Sequence, residues 1–244
     1  MKRDRILGIP FNNFTSDEIL AKAEHFVRDS KSHIIVFLSL PLLVVARRNK
    51  MLRIFLEEAD IIVPSGKYIQ WAARILKHPL TELIEPSRFV KQLMQQSVVL
   101  SKNVYLFGGK GNTVEKAFTN LKKEIPRLFV IGKHRGVYKK SEHENIVMAI
   151  GKASPDYFFI GLGSPQEEIW VNRNKRHINA RLIILIEGLF DLYAGNIKKI
   201  PYRKNWNFDN APKREILSTH GFKRVVQIPI FVILVLIQRA FWKN

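Results

Sequence analysis

The chain contains no cysteine, which excludes disulfides, Cys-ligated zinc and thiolate catalysis and suits a reducing compartment. Acidic residues are scarce: 21 Asp and Glu stand against 40 Lys and Arg, a formal charge of +19 over 244 residues. A surplus of that size implies an anionic partner, and nucleic acid, lipid headgroups and phosphorylated substrates are the obvious classes. Long apolar runs are also missing. The most apolar stretch, Gln227 to Gln238, is too short to span a bilayer by itself and suits an interfacial or partner-bound helix. The N-terminus, Met1-Lys-Arg-Asp-Arg5, is charged and carries no signal-peptide pattern, so the protein is expected to stay on the side of the membrane where it is made.

What is present is a regular alternation. Ile6–Phe11 reads as an opening strand, Thr15 or Ser16 with Asp17 and Glu18 as a helix start, and His33–Leu38 as a buried strand. Helical spacing runs from Leu42 to Glu58, followed by strand Ile61–Val63 and helices Tyr68–Leu76 and Pro86–Leu100. Strand Val104–Phe107 leads into Gly108-Gly-Lys-Gly111, with Asn112 as a helix cap and Glu115 completing a capping-box pattern. Strand Leu128–Ile131, helix Ser141–Ala153 and two further buried runs, Asp156–Gly161 and Leu182–Glu187, complete the series. The pattern predicts an α/β fold: a Rossmann-like parallel sheet covered by helices on both faces. The composition shifts near Asn196. Residues 1–195 are expected to form the α/β domain and 196–244 a basic and apolar C-terminal appendage, in which ten Lys and Arg face only Asp209 and Glu215.

In open α/β sheets ligands bind at the carboxyl ends of strands. The richest of those ends read Gly161-Leu-Gly163-Ser-Pro-Gln-Glu167-Glu168-Ile-Trp170 and Glu187-Gly188-Leu-Phe-Asp191. Gly108 to Gly111 can receive a phosphate on backbone amides at a helix N-terminus, or can serve backbone geometry alone. It matches neither a Walker motif nor a full dinucleotide fingerprint. Glu167 and Glu168 are adjacent on a helix and point about 100° apart, so one of them is expected to be solvated or paired with the helix dipole. Asp191 is a candidate for a ligand hydroxyl or base edge, and equally a cap or turn former. His134 and Arg135 lie at a strand end where they can meet a phosphate. The seven histidines lack metal-ligand spacing, so no metal or other cofactor is expected. Trp206, Phe208 and Phe222 interleave with basic residues, but no nucleic-acid motif accompanies them and the adjacent apolar run does not belong in a nucleic-acid groove. The charge is therefore assigned to an anionic membrane surface and a phosphorylated substrate, not to nucleic acid.

The order of motifs resembles the bacterial WecG/TagA/CpsF glycosyltransferase family over nearly the whole length. The resemblance runs through Glu58-Ala-Asp60-Ile-Ile-Val-Pro64, Tyr105-Leu-Phe-Gly-Gly109, Pro155-Asp156, Gly161-Leu-Gly163-Ser-Pro165, Glu168-Ile-Trp170, Gly188-Leu-Phe-Asp191 and Ala194-Gly195. It implies transfer of an N-acetylmannosamine-like sugar, with inversion, from a UDP-sugar donor to a polyprenyl-diphosphate-linked acceptor. The setting it implies is the cytoplasmic membrane face, in cell-surface polysaccharide or teichoic-acid-type assembly, with a homo-oligomer or a partner glycosyltransferase as further associates. The donor rim would comprise Gly108, Gly109, Gly136, Gly163 and Asp191, with Arg214 and Arg224 among the appendage cations, beside Lys213 and Lys223, that neutralise the diphosphate.

Departures fall at the chemistry. Where the family has an aspartate before glycine, the putative base, this chain has Ser65 before Gly66. Phe37 and Ser39 align with a family threonine and asparagine, Gln166-Glu167-Glu168 with a Lys/Arg-Gln-Glu, Leu83–Pro86 with an Arg-Val-x-Gly loop, and Lys199-Ile-Pro201 with an Arg-Ala-Pro. Ser65 and Glu167 are thus the catalytic candidates, with Glu85 or Asp191 as substitute carboxylates in a rearranged pocket. The alternative is a catalytically impaired member that acts as a membrane-associated scaffold.

Overall fold

The computed structural model describes residues 3–197 and 219–241, the side chains of 219–227 excepted. Its centre is a six-stranded, wholly parallel sheet: β3 (His33–Leu38), β4 (Ile61–Pro64), β5 (Val104–Gly108), β6 (Val130–His134), β7 (Tyr157–Gly161) and β8 (Leu182–Leu185). They lie in the order β4-β3-β8-β7-β5-β6. Strands in such a sheet are buried on both faces, which is why five of the six read as continuous apolar runs. Helices α2 (Leu40–Arg48), α3 (Lys50–Glu58), α4 (Lys67–Ile75), α7 (His143–Ala153) and α8 (Gln166–Asn174) cover one face. The other is covered by α1 (Ser16–Arg28), α5 (Pro86–Val99), α6 (Thr113–Glu124) and α9 (Leu189–Tyr193). The doubly covered parallel sheet expected from the sequence is the one observed.

Several local expectations need correction. The opening segment is an antiparallel hairpin, β1 (Asp4–Ile6) and β2 (Ile9–Phe11), outside the main sheet, because Leu7 and Gly8 both take positive φ, 51° and 81°. The long helix before β4 is two helices. Asn49 ends α2 in extended conformation, and its side-chain oxygen accepts from Leu52 N at 3.2 Å to start α3. Strand β6 sits two to three residues later than its apolar run, since it is an edge strand and half-buried throughout. Asn112 makes no side-chain cap on α6. His33 is buried between Asp60 (2.9 Å) and Asp29 (3.0 Å) and stacks on Phe26 at 4.0 Å.

The C-terminal helix α10 (Thr219–Phe241) contains Pro229 and packs on α4 and α2. Phe231 and Val235 are fully buried, Phe231 lies 6.3 Å from the Trp71 ring, and Gln238 accepts from Leu7 N at 2.7 Å. No helix among the described residues is long and apolar enough to cross a membrane.

Candidate active site

The carboxyl ends of β5, β6 and β7 meet in a rim so tight that backbone touches backbone. Gly109 N donates to Gly161 O at 3.0 Å, and Gly136 N donates to Gly109 O at 2.8 Å. A Cβ on Gly108 would fall 2.2 Å from Gly161 O, and one on Gly136 would fall 2.4 Å from Leu162 Cδ2 and 3.1 Å from Gly108 Cα. Side chains are excluded there by contact, so the glycines answer first to packing. Three of the sequence candidates, Gly108, Gly109 and Gly136, are therefore neighbours.

Asp191 joins the same rim from α9. Its Oδ1 accepts from Thr113 Oγ1 at 3.4 Å and from Asn196 Nδ2 at 3.1 Å, which ties the end of the α9 turn to the first residue of α6. It remains half-exposed beside the free N-terminus of α6, where Lys110 is also exposed. Backbone N–H groups and a nearby cation make that end attractive to an anion.

Beneath the rim lies the feature that the sequence did not reveal. Glu167 and Glu168, in the first turn of α8, are both buried, at 0% and 1% exposure. The expectation that one of them is solvated is thus corrected: the β7 and β8 loops wrap the start of α8 on both sides. Glu167 Oε2 accepts from Leu162 N at 3.0 Å and Gly163 N at 3.1 Å, and its Oε1 accepts from Glu187 N at 2.9 Å. One carboxylate thereby staples two rim loops through three backbone donors. Gly163 itself, at φ 83°, has open space where a Cβ would project. With no exposed surface and its oxygens engaged, Glu167 does not reach a substrate hydroxyl in this arrangement.

Glu168 is held differently. Its Oε1 accepts from Ser164 Oγ at 2.9 Å, and its Oε2 is buried without a hydrogen-bond partner. Burial, then the charge of Glu187, pushes its carboxyl up to about 7. Burial and the charge of Glu168 raise Glu167 as well, against the pull of its amide donors. Both carboxyls are thus pushed toward the protonated form, with the backbone donors opposing this at Glu167. A carboxyl raised in the folded state stabilises fully below its ordinary value, 4.5, and loses that contribution as pH rises through about 7. The expected loss is on the order of 3 kcal/mol. Urea unfolding at about pH 5 and about pH 8 should show it, and Glu168→Gln, which fixes the neutral form, should flatten the difference. An unchanged pH dependence in the variant would remove Glu168 as its source.

Ser65 sits apart from this cluster. It directly follows β4, is 6% exposed, and its N–H donates to Leu38 O at 3.0 Å. Three strand spacings of about 4.8 Å separate β4 from β7, so Ser65 lies about 14 Å from the β7 end. Ser65 and Glu167 thus occupy different parts of the sheet edge and do not form one acid–base pair. Glu85 is engaged too: it caps α5, accepting from Arg88 N at 2.9 Å and from Ser87 Oγ. Phe37 belongs to the core, edge-on to Phe89, and Ser39 caps α2. Arg214, Lys213 and the Lys199–Pro201 segment lie outside the described residues, as do the side chains of Lys223 and Arg224. No cluster of three or more His, Asp or Glu able to hold a metal ion occurs among the described residues.

A wound parallel sheet covered by helices on both faces, with a glycine-lined rim at its carboxyl end, defines a doubly wound class of α/β protein, in which ligands bind at that edge. Comparison with known sequences gives the family. The model of the "Glycosyl transferase WecG/TagA/CpsF family" matches residues 5–244, and the chain belongs to that family. It is similar to the N-acetylglucosaminyldiphosphoundecaprenol N-acetyl-beta-D-mannosaminyltransferase of Staphylococcus aureus strain NCTC 8325 / PS 47, at 26% identity over 93% of this chain and 89% of the relative. The enzyme of the same name from strain MRSA252 matches to the same extent.

Proposed function

We propose that the protein transfers an N-acetylmannosamine-like sugar from a uridine diphosphate donor to a sugar linked to a polyprenyl diphosphate. The observation that carries this reading is the family match over nearly the full chain, together with a rim whose glycines and α6 N-terminus suit a diphosphate. In the proposed reaction the acceptor hydroxyl oxygen attacks the anomeric carbon. The bond from that carbon to the diphosphate oxygen breaks with inversion, and uridine diphosphate leaves with the electron pair while the hydroxyl proton passes to a base or to solvent. Asp191 and the uncapped N-terminus of α6 hold the donor, on the rim shaped by Gly108, Gly109, Gly136 and Gly163. Lys110, with Arg214 and Arg224 of the C-terminal segment, neutralises the leaving group. Glu167 acts as a positioning residue through the loops that it fastens.

The same reading places the protein peripherally on the inner face of the cell membrane. Along α10, Ile230, Ile233, Leu236, Ile237 and Phe241 are exposed while Phe231 and Val235 face the protein, so an apolar row points outward on a strongly basic chain. Wild-type protein should sediment with phosphatidylglycerol vesicles. Burying two such side chains is worth about 1.5–3 kcal/mol each, so Ile233→Glu with Leu236→Glu should weaken that binding at least about tenfold. Equal sedimentation of wild type and variant would show that this row is not the contact.

The reading is tested by incubating the protein with UDP-N-acetylmannosamine and a short-chain polyprenyl-diphosphate N-acetylglucosamine. Release of uridine diphosphate that depends on the acceptor supports it.

A further inference from the structure

On the far side of α8 from its buried carboxylates, the segment after β6, the start of α7 and α8 enclose a cleft of about 310 Å³. Its floor is aromatic. Trp170 is 8% exposed, and its indole N–H donates to the Tyr138 hydroxyl at 2.7 Å. That hydroxyl lies 2.9 Å from His143 Nδ1, with the two rings stacked at an interplanar angle of 17°. A tryptophan nitrogen only donates, so the Tyr138 oxygen accepts from it and keeps its own proton, which can be directed at His143 Nδ1. In the tautomer that accepts from Tyr138, the imidazole carries its N–H on Nε2, where it is a donor for the cleft.

Asn174 also lines the cleft, buried and with its Nδ2 donating to Trp170 O at 2.8 Å, and the polar groups at the mouth are Gln166 and Arg173. Both are exposed, and neither has a protein partner among the described residues. No carboxylate among the described residues lines the cleft. Ligand pockets of this size typically combine an aromatic, apolar surface with a few convergent polar groups. Here those groups are a guanidinium, an amide and an imidazole N–H around a floor that is largely buried. Such a floor offers edges and a shallow apolar patch, which suits the puckered face of a pyranose, while an amide can exchange hydrogen bonds with ring hydroxyls. The unpaired Arg173 fork suits a carboxylate or phosphate on that ring.

We infer that this cleft is a second binding site, separate from the glycine rim, for a pyranose carrying one anionic group. A hexuronate and a hexose phosphate share that chemistry.

Titration calorimetry of the full-length protein with glucuronate, glucose 6-phosphate, neutral glucose and inorganic phosphate tests it, with uridine diphosphate measured in parallel. At least one of the two anionic sugars should bind, glucose and phosphate alone should bind at least about tenfold more weakly, and the better anionic sugar identifies the source. Arg173→Gln should weaken the anionic sugar at least about tenfold, and Arg173→Lys should restore part of the loss. Uridine diphosphate affinity should be unchanged in both variants. Arg173 is exposed, so folding is expected to survive, and circular dichroism checks this. Binding of the anionic sugar without any binding of uridine diphosphate would still support the cleft while counting against the donor site at the rim. Absence of binding by both anionic sugars at 10 mM, equal binding of glucose, or an unaltered Arg173→Gln would overturn the inference.

Discussion

Replacing Glu167 with alanine should destabilise the protein by at least about 3 kcal/mol and abolish donor binding. The variant leaves the N–H groups of Leu162, Gly163 and Glu187 buried without an acceptor, and each such donor costs about 1–3 kcal/mol. One term opposes this: removing a buried carboxylate relieves its desolvation and its repulsion with Glu168 and Glu187. The three orphaned amides outweigh that relief, because the carboxyl oxygens accept from them in either protonation state. Glu167→Gln should fall between, since the amide keeps one acceptor oxygen but turns an NH2 group toward at least one backbone donor. Urea unfolding measures the stability and calorimetry with uridine diphosphate the binding. An alanine variant as stable as wild type, with full affinity, would mean that the loops hold themselves.

The second large effect is a gain. Ser65 occupies the rim of β4 at the position where the family resemblance leads one to expect an aspartate, and a serine without a basic partner cannot take a proton from the acceptor. Its side chain has no hydrogen-bond partner among the described residues, so none of them activates it as a base. General-base catalysis typically contributes about 10² to 10⁴ in rate. Ser65→Asp should therefore raise turnover by about 10²-fold or more without improving donor affinity, and Ser65→Ala should leave turnover close to wild type. A fall in turnover on introducing the aspartate would show that the pocket has been rebuilt around a neutral residue.

The sheet was legible because parallel strands covered on both faces must be apolar at every position, and β3, β5, β7 and β8 stand out as short unbroken apolar runs. The apolar run marks β6 two to three residues early for the converse reason: at the edge, half-buried Gly132, Lys133 and His134 carry no apolar signal. The break at Asn49 had a signal, a good N-cap residue within an amphipathic run, but the apolar spacing continued across it. The glycines were legible as a group, and their mutual contact explains them. Glu167 and Glu168 were misread because helical geometry separates adjacent side chains by about 100°, which hides both only when something surrounds the helix end. The β7 and β8 loops do so, and that closure depends on strand order, which no local pattern contains. Asp191 was legible as a rim carboxylate, whereas its bonds to Thr113 and Asn196 join segments 78 and 5 residues away.

The central claim is that this rim binds a uridine diphosphate sugar and passes the sugar to a lipid-linked acceptor. The most direct measurement is the rate of uridine diphosphate release from UDP-N-acetylmannosamine with and without polyprenyl-diphosphate N-acetylglucosamine, on anionic vesicles. The account predicts release that requires the acceptor, falls with Glu167→Ala and rises with Ser65→Asp. Silence of wild type and Ser65→Asp alike, with no calorimetric binding of uridine diphosphate, would contradict it.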